Sequence, residues 1–245
     1  MKDTIVKIYY IYHSGFVVET ENHLLVFDYY KEAEENKNNP VVSEKFLSSK
    51  KNIFVFSSHS HGDHFNNKIY DWKSYNKDIH YILSSDIKDI DLNANCFIMS
   101  EDEEILTKDI YIKAYGSTDM GISFLVKIEG VTIFHAGDLN WWHWKLDKDE
   151  ENKLAEIAFK VQIEKLKVEI PIDIAFFPVD PRLEESYYLG GQYFAENLHP
   201  KLLVPMHFAE NLSITKEFSA KIKDLNVDSA IIESAGQEII FKHSN

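Results

Sequence analysis

Through the first half of the chain, apolar residues come in short runs rich in β-branched and aromatic side chains, each closed by turn residues. Ile5–Tyr12, Phe16–Glu19 and Leu24–Phe27 read as strands, punctuated by Gly15 and by Glu21-Asn22-His23. The polar stretch from Lys31 to Pro40 reads as an exposed loop. A further strand, Ile53–Phe56, is followed by a helix near Asn67–Tyr75. Ile79–Leu83, Cys96–Met99, Ile110–Tyr115, Ile122–Ile128 and Val131–Phe134 continue the strand pattern, with Glu129-Gly130 as a tight hairpin turn.

After Lys148 the period changes. Lys148–Val168 is charged and helix-prone, with Leu154, Ile157, Ala158, Val161 and Leu166 at helical spacing. Its acidic start, Asp147 to Glu151, suits the positive end of a helix dipole. Ile172–Phe177 reads as a buried strand and Glu184–Leu198 as a helix weakened by Gly190-Gly191. Leu202–Val204 is a strand, Ile214–Leu225 a helix, and Ile239–Phe241 closes a sheet. Strands first, then strands mixed with helices, predict an α+β class of two sheets with helices packed outside; length alone admits one large domain or two small ones, and with no clear linker residues 1–245 are expected to form a single domain.

Composition narrows the setting. A formal charge of −14 argues against broad nucleic-acid binding, since a phosphate backbone attracts a basic face. No apolar run approaches the length of a membrane span. Met1-Lys2-Asp3-Thr4 leads straight into a strand, without the apolar core of a signal peptide. The single cysteine, Cys96, excludes an internal disulfide, fits a reducing compartment and reads as a buried strand thiol. The expectation is a cytoplasmic protein with a small-molecule substrate and neither nucleic acid nor membrane as partner.

The chemistry concentrates in His59-Ser60-His61-Gly62-Asp63-His64, just after the Ile53–Phe56 strand. Neutral imidazole and carboxylate are ligands that zinc and iron accept, and His-x-His on a turn lets two rings converge on one ion. Asp63 and His64 then aim at a second ion or at metal-bound water. Two weaker candidates also follow strands. In Phe134-His135-Ala136-Gly137-Asp138, Gly137 permits a tight turn that points Asp138 into a cleft. The other is His207, in Pro205-Met206-His207-Phe208.

In this order, Asp28 after an early strand, the His59 to His64 motif, Gly137-Asp138 and His207 after Leu202-Leu203-Val204-Pro205, the chain resembles the metallo-β-lactamase superfamily. The resemblance implies a four-layer αββα sandwich with a dinuclear site at one edge of its sheets. Ile11-Tyr12-His13-Ser14-Gly15-Phe16 and the Pro205-Met206-His207 ending look similar to its cytoplasmic branch of ascorbate-phosphate lactonases and uncharacterised metal-dependent hydrolases. By that resemblance His59 and His61 bind a first metal, Asp63, His64 and His207 a second, and Asp138 bridges them. Asp28 holds the loop from behind, and His135 faces a partner of the ligands. The implied metal is zinc, as one or two ions, with iron or manganese as alternatives.

One departure stands out. The family usually supplies another histidine to the first metal from a turn that here reads Ala114-Tyr115-Gly116-Ser117-Thr118-Asp119-Met120-Gly121, with Ser117 near its place. Three readings stay open: the first metal is weak or absent, Asp119 replaces the histidine, or His13 or His143 folds in.

The implied reaction is hydrolysis of a small ester, lactone, thioester or phosphoester. A metal lowers the pKa of bound water to about 7, and Asp63 orients the hydroxide and shuttles a proton. Leu139-Asn140-Trp141-Trp142-His143-Trp144 reads either as an aromatic wall, with Trp141 facing substrate and His143 or Asn140 as a polar anchor, or as a helix start packing into the core. The only arginine, Arg182 in Asp180-Pro181-Arg182, suits bidentate contact with an anion or an ordinary ion pair. The alternatives are a phosphodiesterase or nuclease, a degenerate metal-binding protein without turnover, and a di-iron redox protein, which normally carries glutamate where His61 stands.

Overall fold

The fold is described from a computed structural model for residues 4–50, 52–88, 90–91, 95–107 and 109–243. The chain divides into two compact units, one of residues 1–100 and 233–245 and one of residues 101–232.

The first unit holds β1 (Thr4–Tyr12), β2 (Gly15–Glu19), β3 (Leu24–Phe27), the short helix α1 (Glu44–Ser48), β4 (Ile53–Ser57), β5 (Ile79–Ser84) and β6 (Asn95–Met99). Along β1 the side chains alternate: Val6, Ile8 and Tyr10 point inward while Ile5 and Lys7 point outward, as a pleated strand requires. A last strand of the chain pairs with β1, setting Phe241 opposite Val6. β1, β2 and β3 form an antiparallel meander, and β3, β4, β5 and β6 run parallel. β3 and β4 are buried at every position, which explains their unbroken apolar sequence.

Residues Asn67–Ser74, expected as an α-helix, are 3-10 turns instead. Ile69 and Trp72 are buried three residues apart, the tighter 3-10 period, and the Asn66 side chain accepts from the Lys68 amide at the start. Cys96 lies half-buried on the edge strand β6 rather than in the interior.

The second unit holds β7 (Glu104–Leu106), β8 (Ile110–Gly116), β9 (Ile122–Ile128), β10 (Val131–His135), α2 (Asp149–Leu166), β11 (Ile174–Pro178), α3 (Leu189–Leu198), β12 (Leu202–Met206), α4 (Ser213–Lys221) and β13 (Asp228–Ser229). The last strand of the first unit is β14 (Glu238–His243). β7 to β10 are antiparallel, and β10, β11, β12 and β13 parallel. Each seven-stranded sheet therefore has one antiparallel and one parallel half. Loops leaving the carboxyl ends of parallel strands are where sheets of this kind gather functional groups. Asp28 follows β3 and His59 follows β4; Asp138 follows β10, Asp180 follows β11 and His207 follows β12.

Three helix expectations need correction. α2 forms where its periodicity places it, but it buries Phe159, Ile163 and Leu166, while Leu154, Ile157 and Val161 face solvent. The chain carries two apolar stripes on this helix, and spacing alone does not say which faces the sheet. The helix expected over Glu184–Leu198 is broken: Pro181–Ser186 is 3-10 with Glu184 at φ 50°, and only α3 is α-helical. The two glycines do not break α3; a side chain on Gly190 would stand 2.0 Å from Asn140 Oδ1, and one on Gly191 would meet the Phe218 ring. α4 ends at Lys221, before Leu225. Among the described residues no helix is long and apolar enough to cross a membrane.

Candidate metal centre

In the first unit the motif loop is held from behind. Asp28, at φ 42° just past β3, accepts hydrogen bonds from the Ser58 amide and hydroxyl, both at 2.7 Å. Its Oδ2 also lies 2.7 Å from His64 Nδ1. Ser58 Oγ is 3.0 Å from His59 Nδ1. These contacts occupy the Nδ1 side of both rings and turn Nε2 outward. Past them, the amides of His64 and Phe65 donate to the His61 carbonyl, closing one helical turn. Asp86, after β5, accepts from the Ser60 amide at 2.8 Å and pins the loop's other flank.

His59 Nε2 faces His61 Nδ1 at 3.0 Å. Ligand atoms of His59, His61 and Asp63 all lie within 4.8 Å of one another, as do those of His13, Asp63 and His64. Asp63 is thus common to two clusters. Its contact with His13, at 3.5 Å, holds the carboxyl well below the usual carboxylate range; burial opposes this, and the His64 charge adds to it. Asp63 is ionised at neutral pH, the state needed in a ligand or proton acceptor.

In the second unit, Gly137 at φ 53° turns the chain after β10 and leaves Asp138 buried. His207 Nε2 lies 3.2 Å from Asp138 Oδ1, and its Nδ1 lies 3.0 Å from Asp180 Oδ2. Asp180 also accepts from the Arg182 amide, Nε and Nη2. Burial works to raise the Asp180 carboxyl, but hydrogen bonds with His207 and Arg182 outweigh it and hold it down at about 2. Trp142 sets its edge against the His207 ring at 5.6 Å and donates Nε1 to the Asp138 carbonyl. Trp144 stacks parallel to Trp142, and the Arg182 guanidinium lies 5.8 Å from the Trp144 ring centre. His207, Asp180, Arg182, Trp144 and Trp142 form a closed ring of contacts.

Asp119 is exposed, brings a carboxylate oxygen within 4.8 Å of one on Asp138, and donates its amide to Ser117 Oγ. Ser117 itself serves that turn. His143 belongs to none of the groups that could hold an ion among the described residues. His135 is buried against Phe176, its Nδ1 accepting from the Gly137 amide. The Asn140 backbone is tied to the Thr118 hydroxyl, and its side chain is buried against Gly190. Trp141 packs on Phe159 and Tyr193, under Lys160. The aromatic contact with a candidate ligand is therefore made by Trp142, backed by Trp144. Asp180, which the sequence reading named only as the residue ahead of Pro181-Arg182, is the buried carboxylate behind His207. Its only signal was a carboxylate at the end of a buried strand, ahead of the lone arginine.

The donor set fits a metal. Nitrogens at 2.0–2.1 Å from a tetrahedral zinc stand about 3.3 Å apart, close to the His59–His61 separation of 3.0 Å. Imidazole with carboxylate suits zinc and also iron or manganese.

Residues 7–207 match the family model described as the beta-lactamase superfamily domain. A UPF0173 metal-dependent hydrolase of Pyrococcus furiosus is 24% identical over 219 residues, covering 83% of this chain and 85% of that protein. Igni18, a metallo hydrolase of Ignicoccus hospitalis, superposes with a TM-score of 0.65 at 15% identity, over 98% of this chain and 100% of its own. The metallo-beta-lactamase fold protein YhfI of Bacillus subtilis gives 0.63 at 13% identity, over 99% and 100%. The two structural likenesses establish a shared fold.

Proposed function

This chain belongs to the beta-lactamase superfamily domain family and has the α+β metallo-β-lactamase fold, and on that premise we propose that it is a metal-dependent hydrolase of a small ester, lactone, thioester or phosphoester. The observation that carries the reading is the convergence of His59, His61 and Asp63, with Asp28 and Ser58 fixing His59 and His64 from behind.

His59, His61, Asp63 and His64 of the first unit, with Asp138 and His207 of the second, are the residues that would hold metal. Zinc fits this set, and iron or manganese also suits it. When bound, a divalent ion acidifies water to a pKa of about 7 and polarises the substrate oxygen. The protein supplies the rest. Asp63, held ionised, would orient the attacking water and pass a proton on to the leaving group. Asp28 and Asp180 fix which nitrogen His64 and His207 present. Trp142 and Trp144 shield His207 from water on one side. Arg182, with its side chain 61% exposed and its fork held by Asp180, is placed to anchor an anionic group of the substrate. Asp119, near Asp138, is the surrogate for the absent histidine.

The net charge disfavours a nuclease, and the lone cysteine favours a reducing, cytoplasmic setting. The test is turnover of esters, lactones, thioesters and phosphoesters bearing a nitrophenolate or thiolate reporter, by zinc-loaded wild type and Asp63→Asn. The expected result is turnover of at least one class, reduced roughly 10²–10⁴-fold in the variant. A fully loaded wild type inert on every class would favour a metal-binding protein without turnover.

A further inference from the structure

The turn between β1 and β2 carries a histidine that has no role in the site as described above. Tyr12 pairs with Gly15, so His13 and Ser14 alone make the turn. His13 stands at φ 57°, a left-handed conformation that glycine and asparagine take more readily than a residue with a ring. The position is nevertheless firmly held. The His13 amide donates to the Tyr10 hydroxyl at 2.9 Å, and Tyr10 packs on Phe16 across the hairpin. A side chain on Gly15 would stand 3.0 Å from the Tyr12 carbonyl oxygen and 3.2 Å from that of Asp28. Glycine there lets the turn lie against Asp28, the residue that also holds His64 by its Nδ1.

The result is an imidazole aimed at the motif loop. The His13 side chain is only 10% exposed, and its Nε2 lies 3.5 Å from Asp63 Oδ2. Its ring meets the His64 ring edge-on at 5.6 Å. His13 groups with Asp63 and His64, their ligand atoms within 4.8 Å of one another, rather than with His59 and His61. It therefore does not stand in for the histidine that the first metal lacks. A separation of 3.5 Å is long for a hydrogen bond from a ring nitrogen to a carboxylate, which closes to about 2.7–3.2 Å. It suits two ligands of one ion: nitrogen and oxygen at about 2.0–2.2 Å from a tetrahedral zinc stand about 3.3–3.6 Å apart.

We propose that His13 is a ligand of the ion that Asp63 and His64 bind, so that the first unit holds this ion through two imidazoles and one carboxylate. Such a set leaves positions open for water and substrate, as in catalytic zinc and non-haem iron sites. The proposal rests on the metal-site reading above and adds to it a ligand from the hairpin turn.

The test reads the histidine rings directly. Chelator-stripped protein carrying isotopically labelled histidine is titrated with zinc and its ring nitrogens are followed by NMR. The His13 signals are those that vanish in His13→Gly. Glycine takes φ 57° without strain, so this variant should fold, and its apoprotein should melt with the wild type. On zinc binding, His13 Nε2 should shift to the range of a metal-bound nitrogen in step with the His64 ring. In chelator competition, His13→Gly should weaken one zinc site by more than about 100-fold, beyond the roughly 10–100-fold lost with a residue that only supports a ligand. His13→Gln, whose amide can still donate to Asp63, should not restore it. If zinc shifts the rings of His59, His61 and His64 but not His13, if the loss stays within the supporting range, or if glutamine restores the affinity, the metal site stands and the proposal falls. If zinc shifts no ring at all, the metal-site reading falls and the proposal with it.

Discussion

Asp180 holds His207 by its Nδ1 at 3.0 Å and so turns Nε2 toward Asp138, 3.2 Å away. The two residues meet because β11 and β12 are paired in parallel with Pro178 opposite Met206, so the loops that follow start side by side. A carboxylate behind a histidine fixes the tautomer and raises the basicity of the nitrogen it offers to a metal. Asp180→Asn should therefore weaken metal binding roughly 10–100-fold, read by competition with a chromogenic chelator. An unchanged affinity would mean that His207 is not a ligand.

Arg182 shares the same carboxylate, Nη2 lying 2.5 Å from Asp180 Oδ2. If it anchors an anionic substrate group, Arg182→Gln should raise KM about tenfold for an ester bearing a carboxylate or phosphate and leave its neutral analogue unaffected. Arg182→Lys should recover only part of the loss. Equal effects on both substrates would reduce Arg182 to a support for Asp180.

The close approach of α3 to Asn140 gives a stability prediction. Gly190→Ala would set a methyl 2.0 Å from Asn140 Oδ1 and 3.0 Å from the Trp141 amide. The buried amide side chain has little room to yield, so the variant should lose about 1–3 kcal/mol, visible as a lowered melting temperature. An unchanged melt would show that the Asn140 side chain moves aside without cost.

A pH dependence follows from Glu169, which accepts from the Tyr115 hydroxyl at 2.6 Å and pairs with Lys127 at 2.7 Å. Burial acts to raise its carboxyl, but the bonds to Lys127 and Tyr115 prevail and hold it below the usual value of 4.5. A depressed carboxyl stabilises the fold above its unfolded value and loses that contribution as pH falls through its folded value. Wild type should therefore exceed Glu169→Gln by about 1–2 kcal/mol at pH 7 in chemical denaturation. The gap should narrow only below about pH 4.5. A gap that is constant down to pH 3 would locate the contribution elsewhere.

The strands were legible because each is an apolar run closed by turn residues, and the motif because its four polar side chains crowd one loop. Other features depend on partners far along the chain. Asp180 shows its role only once β11 and β12 are in register. Nothing in Trp141-Trp142 says which ring turns toward Phe159 and which toward His207. On α2, two apolar stripes satisfy the same period, and only packing selects Phe159 and Ile163 over Leu154 and Ile157. The 3-10 turns after Asn66 carry a helix-like composition, which does not distinguish a three-residue period from a longer one.

The most direct test strips the protein with chelator, returns zinc stepwise, and at each step counts metal by elemental analysis and measures hydrolysis of the reporter panel. If the protein is a dinuclear hydrolase, its apoprotein is inert and turnover rises with zinc to about two ions per chain, with Asp119→Ala stopping at about one. Turnover that survives complete metal removal, or zinc that fills the site without hydrolysis of any substrate, would contradict it.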